Sequence, residues 1–189
     1  MNNFKNLQYF KKYESYFQRI FKLNNSVLLN LIALTNIFIK CKKRGGKVFF
    51  LGNGGSAAIA SHVAVDLTKN AGITSVTFNE VDLITCFAND FGYENWMQKS
   101  IEYYTQKKDL IVLISSSGKS KNLLNSAKWL KKKNRKFVTL TGMSKNNELK
   151  KINSNGLNLW VNAKQYNFIE MTHLFYLLSV TDKIIGTKF

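Results

Sequence analysis

The sequence predicts an α/β fold: a doubly wound, five-stranded parallel sheet flanked by helices and preceded by two further helices. Three observations carry this. Short apolar runs alternate with helix-periodic segments from residue 47 onward. The run Leu110-Ile111-Val112-Leu113-Ile114 is continuous, as in a parallel strand covered on both faces. Two of the runs end in turns rich in glycine or serine, each leading directly into a helix pattern.

Taken in order, residues 4–23 and 25–42 place aromatic and aliphatic side chains at helical spacing, with Phe10, Tyr13, Phe17, Ile20 and Phe21 in the first segment. The first helix has more aromatic surface than one subunit can cover, so it is expected to serve oligomerisation. Gly45-Gly46 ends the second helix, and strand one follows at 47–51. A helix is expected over 57–69, strand two over 74–78, and a short helix over 82–87. Residues 89–93 read as a loop before a helix at 96–104. Strand three spans 109–115, a helix 122–133, strand four 136–141, a short helix 145–151, strand five 157–161 and a last helix 167–185. No internal linker or low-complexity tail interrupts the pattern, so residues 1–189 read as one domain, with 1–43 as N-terminal helices.

The first turn, Gly52-Asn53-Gly54-Gly55-Ser56, follows strand one. Glycines let the backbone approach a ligand closely, and Ser56 stands where an N-cap hydroxyl is expected. A helix start presents unpaired N–H groups and the positive end of a dipole, so the turn reads as an anion site. It closes with no Gly-Lys-Ser/Thr and lacks GxGxxG spacing, which argues against an NTP or a dinucleotide. The second turn, Ser115-Ser116-Ser117-Gly118-Lys119-Ser120, ends strand three and clusters hydroxyls where they do little for packing but suit phosphate oxygens.

These segments, GNGGSAAIASH from Gly52, CFANDFGYE from Cys86, ISSSGKSKN from Ile114 and LTG at 140–142, resemble the sugar isomerase (SIS) domain family, most closely its heptose-phosphate-isomerising branch. The resemblance covers nearly the whole chain. It implies a flavodoxin-like core, a homotetramer, and conversion of sedoheptulose 7-phosphate to D-glycero-D-manno-heptose 7-phosphate for surface polysaccharide. Carried over by position, Ser115, Ser116, Ser117 and Ser120 would hold the phosphate, and Asn53, Gly54, Ser56, Asn89 and Asp90 would line the sugar site. His62 and Asp66 fall where the family has a histidine and a glutamate used for metal binding and proton transfer.

Two departures matter. Asp66 is one methylene shorter than the family glutamate, a retreat of about 1.5 Å. In the last helix Glu170 aligns with a family glutamine and Leu178 with a family histidine, while His173 stands one turn after Glu170 on the same face. The catalytic candidates are therefore Asp66, Glu170 and His173. His62, Asp66, Glu170 and His173 form the pairs HxxxD and ExxH, a candidate zinc set of oxygen and imidazole ligands. No organic cofactor is expected.

Composition narrows the rest. The two cysteines, Cys41 and Cys86, form no CxxC, and no apolar leader follows the start, so a reduced, cytoplasmic protein is expected. No apolar run is long enough to span a bilayer. The formal charge of +17 invites a nucleic-acid reading. The lysines are spread along the chain, however, and the densest run, residues 131–136, reads as a solvated helix end. The expected partners are thus a small sugar phosphate and the chain itself, with neither membrane nor nucleic acid. The rival readings are an isomerase of another sugar phosphate and a non-enzymatic tetrameric SIS protein that associates with a replication initiator.

Overall fold

A computed structural model describes residues 3–188. Its elements are α1 (Asn3–Phe21), α2 (Asn25–Lys43), β1 (Val48–Gly52), α3 (Gly55–Lys69), β2 (Ser75–Thr77), α4 (Val81–Phe91) and α5 (Trp96–Tyr104). They continue with β3 (Leu110–Ser115), α6 (Lys121–Lys132), β4 (Phe137–Thr141), α7 (Glu148–Ile152), β5 (Asn158–Trp160) and α8 (Tyr166–Ile185). All strand pairs are parallel, in the order β2-β1-β3-β4-β5.

The strand alternation explains the two layers. Val48 and Phe50 of β1, with Leu110, Val112 and Ile114 of β3, point into a core covered by α2, α3 and α8. Phe49 and Leu51, with Ile111 and Leu113, point into a second core under α4, α5, α6 and α7. Every residue of β1, β3 and β4 is buried, whereas the edge strands β2 and β5 span only 3 residues each. Each fully buried aliphatic side chain contributes about 1.5–3 kcal/mol relative to exposure, so the continuous run of β3 anchors the sheet.

Chain order reverses at β1. The first crossover carries β2 to one side of β1, and β3 then pairs on the other side. In such sheets a crevice opens beyond the carboxyl ends of the strands at this reversal, and the two turns read from the sequence lie there.

Two local expectations are corrected. Ser56 is not the cap of α3: Gly54 occupies that position with φ 52° and ψ −123°, so the helix starts at Gly55 and buries Ser56 in its first turn. Residues 89 and 90 belong to α4 rather than a loop. Phe87 and Phe91 stack edge-on one turn apart, Phe87 meets Tyr103 and Tyr104 of α5, and Gly92 at φ 81° ends the helix. The aromatic packing outweighs the turn preference of Asn-Asp.

The C-terminal half of α1 packs on α8, with Tyr13, Tyr16 and Phe17 each within 4.4–4.6 Å of the Phe168 ring and Phe21 stacked on Phe175. Its N-terminal half exposes Leu7, Tyr9 and Phe10. Among the described residues no single helix is long and apolar enough to cross a membrane. α1 and α2 pass that test only together, across a 66° bend.

Candidate functional site

The turn after β1 is shaped by what glycine permits. A Cβ at Gly52 would collide with the backbone of Ser56, and Gly54 has a conformation that side chains rarely adopt. Between them, Asn53 reaches across to α6. Its Nδ2 donates to Asn122 Oδ1 at 3.0 Å and its Oδ1 accepts from Asn122 Nδ2 at 2.9 Å, with Tyr93 Oη donating to the same Oδ1 at 3.4 Å. Asn122 is only 2% exposed, and its Oδ1 also accepts from the Leu123 N–H. This reciprocal amide pair ties the first turn to the helix that follows the second.

The serine turn is held differently. Ser115 accepts from the Gly118 N–H through both its carbonyl and its hydroxyl oxygen, and Ser117 Oγ accepts from Lys119 N–H. Gly118 has φ 64°, and a Cβ there would strike the Asn147 side chain. Ser116 Oγ is buried with no hydrogen-bond partner. Ser120 stands at the N-cap of α6 without spending its hydroxyl on the cap. Two hydroxyls are thereby left for a ligand.

α8 brings the carboxyl group. Glu170, in its second turn, lies so close over Gly55 that any Cβ there would overlap the carboxylate. Burial pushes the Glu170 pKa above its usual value of 4.5, with Ser116 pulling weakly the other way. The Ser116 hydroxyl is near enough to favour the anion electrostatically but is outside hydrogen-bonding geometry. Desolvation therefore wins, and the carboxylate is a stronger base than a solvent-exposed glutamate.

Asn53, Ser56, Ser115, Ser116, Ser117, Ser120 and Glu170 line one cleft of about 100 Å³, together with Ile114 and Tyr166. The first turn of α3, the N-cap of α6 and the first turn of α8 all contribute. Three helix N-termini thus open on one small space, a field suited to an anion. Asn122, Tyr93 and Tyr166 were not singled out as site residues from sequence. Only tertiary packing brings them to the two turns; the one local signal was the Asn that closes the serine motif.

The other candidates lie elsewhere. His62 Nε2 and Asp66 Oδ2 are 3.4 Å apart on an exposed stretch of α3, beside Val65. His173 is fully buried, its Nε2–H donating to the Thr141 carbonyl at 3.1 Å while Nδ1 has no partner. Burial lowers its pKa to about 4, so the ring is neutral. Asn89 and Asp90 bond to each other on the exposed face of α4, and Gly54 shapes its turn without lining the cleft. Among the described residues no three His, Cys, Asp or Glu side chains form a group that could hold a metal ion. The convergence expected of His62, Asp66, Glu170 and His173 is thus absent within one subunit. One pair faces solvent, and the His173 ring is turned into the core.

The family model described as SIS domain matches residues 8–142. A phosphoheptose isomerase from Histophilus somni is 40% identical over 126 residues, 64% of this chain and 65% of that protein, so the match spans just under two thirds of that relative. One from Aliarcobacter butzleri is 32% identical over 151 residues, 76% of this chain and 80% of its own length. Among solved structures, a phosphoheptose isomerase from Neisseria gonorrhoeae superposes with a TM-score of 0.84 at 22% identity, covering 96% of this chain and 98% of that one. That likeness establishes the same five-stranded fold.

Proposed function

Because the chain belongs to the SIS domain family, we propose that it is a sugar-phosphate aldose–ketose isomerase converting sedoheptulose 7-phosphate to D-glycero-D-manno-heptose 7-phosphate, in the cytoplasm, for heptose-containing surface polysaccharide. The observation that carries this reading is the placement of the Glu170 carboxyl in the serine-lined cleft at the strand-order reversal. The names of the relatives support the choice of sugar.

In this reading the phosphate sits at the serine turn, where the Ser117 and Ser120 hydroxyls and the start of α6 bind it. That remote grip orients the carbons to be altered. Glu170 takes a proton from C1 of the ketose, forming an enediolate across C1 and C2 with its charge on O2. It returns the proton to C2 while a hydroxyl proton passes from O1 to O2, which leaves the aldehyde at C1. Ser116, whose hydroxyl is unpartnered, donates to the enediolate oxygen. Asn53, held by Asn122, lines the sugar chain.

His173 acts as a latch rather than an acid: its bond to Thr141 O seats α8 so that Glu170 points into the cleft. The His62–Asp66 pair belongs to the homotetramer. On an outward face of α3 beside Val65, which is 61% exposed, it is presented to a neighbouring subunit, whose cleft it supplies with a second acid–base pair. The aromatic N-terminal half of α1 forms another subunit contact. The four candidate ligands do not fit a metal centre within one subunit, and no step here passes through zinc. Residues 1–189 form one SIS domain.

Deuterium exchange into C1 of sedoheptulose 7-phosphate, followed by NMR, tests the proposal. Exchange that disappears in Glu170→Gln supports it. Exchange only with a hexulose or pentulose phosphate replaces the sugar, and exchange with none overturns the isomerase in favour of a non-enzymatic SIS protein.

A further inference from the structure

The positive charge is not evenly spread. Residues 66–102, from the last turn of α3 through β2 and α4 into α5, carry six of the 11 acidic residues but only two of the 28 lysines and arginines. The opposite edge of the sheet, at β5, is bordered by three adjoining grooves of about 510, 270 and 600 Å³. The first and second share Lys145, Lys150 and Asn158; the second and third share Asn153, Ser154 and Gly156. They therefore form one continuous track from the α1–α2 junction, along the β5 edge, to the amino ends of β3 and β4.

Cations distant in sequence meet on this track. Arg19 and Lys22 come from α1 and its exit, Lys40 from α2, Lys131 from the last turn of α6, Lys136 from the α6–β4 connection, and Lys145 from the loop after β4. No acidic side chain lines any of the three grooves. The ion pairs among the described residues are His62–Asp66 and Lys99–Glu102, so the groove lysines have no neutralising partner. The residue 131–136 run, which by sequence alone looks like a solvated helix end, contributes one wall.

We infer that this track binds the phosphate backbone of a single-stranded nucleic acid. Its length exceeds what one small phosphate would occupy, and a chain of phosphates matches cations arrayed along a groove. Asn30, Asn146 and Asn162 add amides to the walls that can bond bases or phosphates, and the Trp160 indole lines the groove beneath Lys150. An anionic membrane is the poorer match, because none of the strongly exposed large apolar residues lines the three grooves. The track shares no residue with the catalytic cleft, so the inference stands independently of the isomerase reading.

Fluorescence anisotropy of labelled oligo(U) and oligo(dT) of about 20 nucleotides, with the full chain, tests it. Affinity is expected to fall with salt with a log–log slope of about −2 or steeper. The triple variant Lys22→Glu, Lys136→Glu, Lys145→Glu is expected to weaken binding by about tenfold or more while sugar-phosphate turnover is unchanged. The neutral triple Lys22→Gln, Lys136→Gln, Lys145→Gln, which places no acids side by side, is expected to give a smaller loss in the same direction. Lys5→Glu, Lys69→Glu, Lys183→Glu changes net charge equally at other places and is expected to cost less than about threefold. Equal losses in the two charge-reversal triples would assign binding to the overall field and overturn the groove. So would the absence of salt-dependent binding in the unaltered protein, or binding confined to phosphatidylserine vesicles.

Discussion

The turn after β1 and the turn after β3 lie side by side where the strand order reverses, yet they use their side chains in opposite ways. The first commits its groups to structure: Asn53 is paired with Asn122, Gly54 caps α3, and Gly55 leaves room for Glu170. The second keeps groups in reserve, with Ser116 Oγ unpartnered and Ser120 not used as a cap acceptor. Both look alike in sequence, small residues between a strand and a helix. The difference teaches that such a turn either aims other groups or holds a ligand, according to whether its polar atoms are already satisfied.

The largest test of this contrast is Glu170→Gln, which preserves shape but removes the proposed base over the first turn. Turnover is expected to fall by about 1,000-fold with little change in KM. In the unaltered protein, isomerase activity is expected to rise with pH as Glu170 ionises, through a midpoint above the usual 4.5. A loss smaller than about tenfold would remove Glu170 as the base.

Next in size is His173, the proposed latch behind both turns. The unfolded chain protonates His173 near pH 6.5, but the folded protein resists until about 4. Its contribution is therefore complete above pH 6.5 and is lost as pH falls toward 4, by up to about 3 kcal/mol. Urea unfolding at about pH 7 and about pH 4.5 is expected to show a larger drop in the unaltered protein than in His173→Gln. Equal drops would show that the ring does not sense protonation in the fold.

Gly55→Ala sharpens the contrast more finely. The added methyl meets the movable end of Glu170, so the carboxylate swings aside. Stability is expected to stay within about 1 kcal/mol, while turnover drops on the order of 100-fold. A matched fall in stability would mean that the turn is a structural support rather than an aiming device.

Ser120→Ala is the smallest and tests the other turn. With one phosphate hydrogen bond gone, KM is expected to rise about tenfold at nearly constant kcat. An effect on kcat alone would move Ser120 from the phosphate to the reacting carbons.

Much of this arrangement was legible in the sequence because it rests on local patterns. The buried run of β3, the alternation along β1 and the small residues after each gave strands within a residue or two of their observed limits, and located the crevice. The start of α3 escaped because Gly54 accepts a positive φ that makes it the better cap than Ser56. The length of α4 escaped because its aromatic contacts with α5 are tertiary. Within the cleft, the serine cluster and Glu170 could be read from motif and alignment. The joining of Asn53 to Asn122 could not, since those residues are 69 apart in sequence. The burial of His173 was equally hidden, because a histidine three residues after a glutamate shares its helix face but not its depth.

The Asn53–Asn122 pair also governs how the protein ages. Asn53 precedes Gly54, the neighbour that hinders least the attack of a backbone nitrogen on a side-chain amide, so the turn contains a natural point of spontaneous deamidation. Hydrogen bonds of 3.0 and 2.9 Å hold both ends of that amide to Asn122, and cyclisation would have to break them. An aspartate formed there would set an oxygen against Asn122 Oδ1 in place of a donor and untie the two turns. The amide at this point is therefore restrained by one partner amide, contributed from α6.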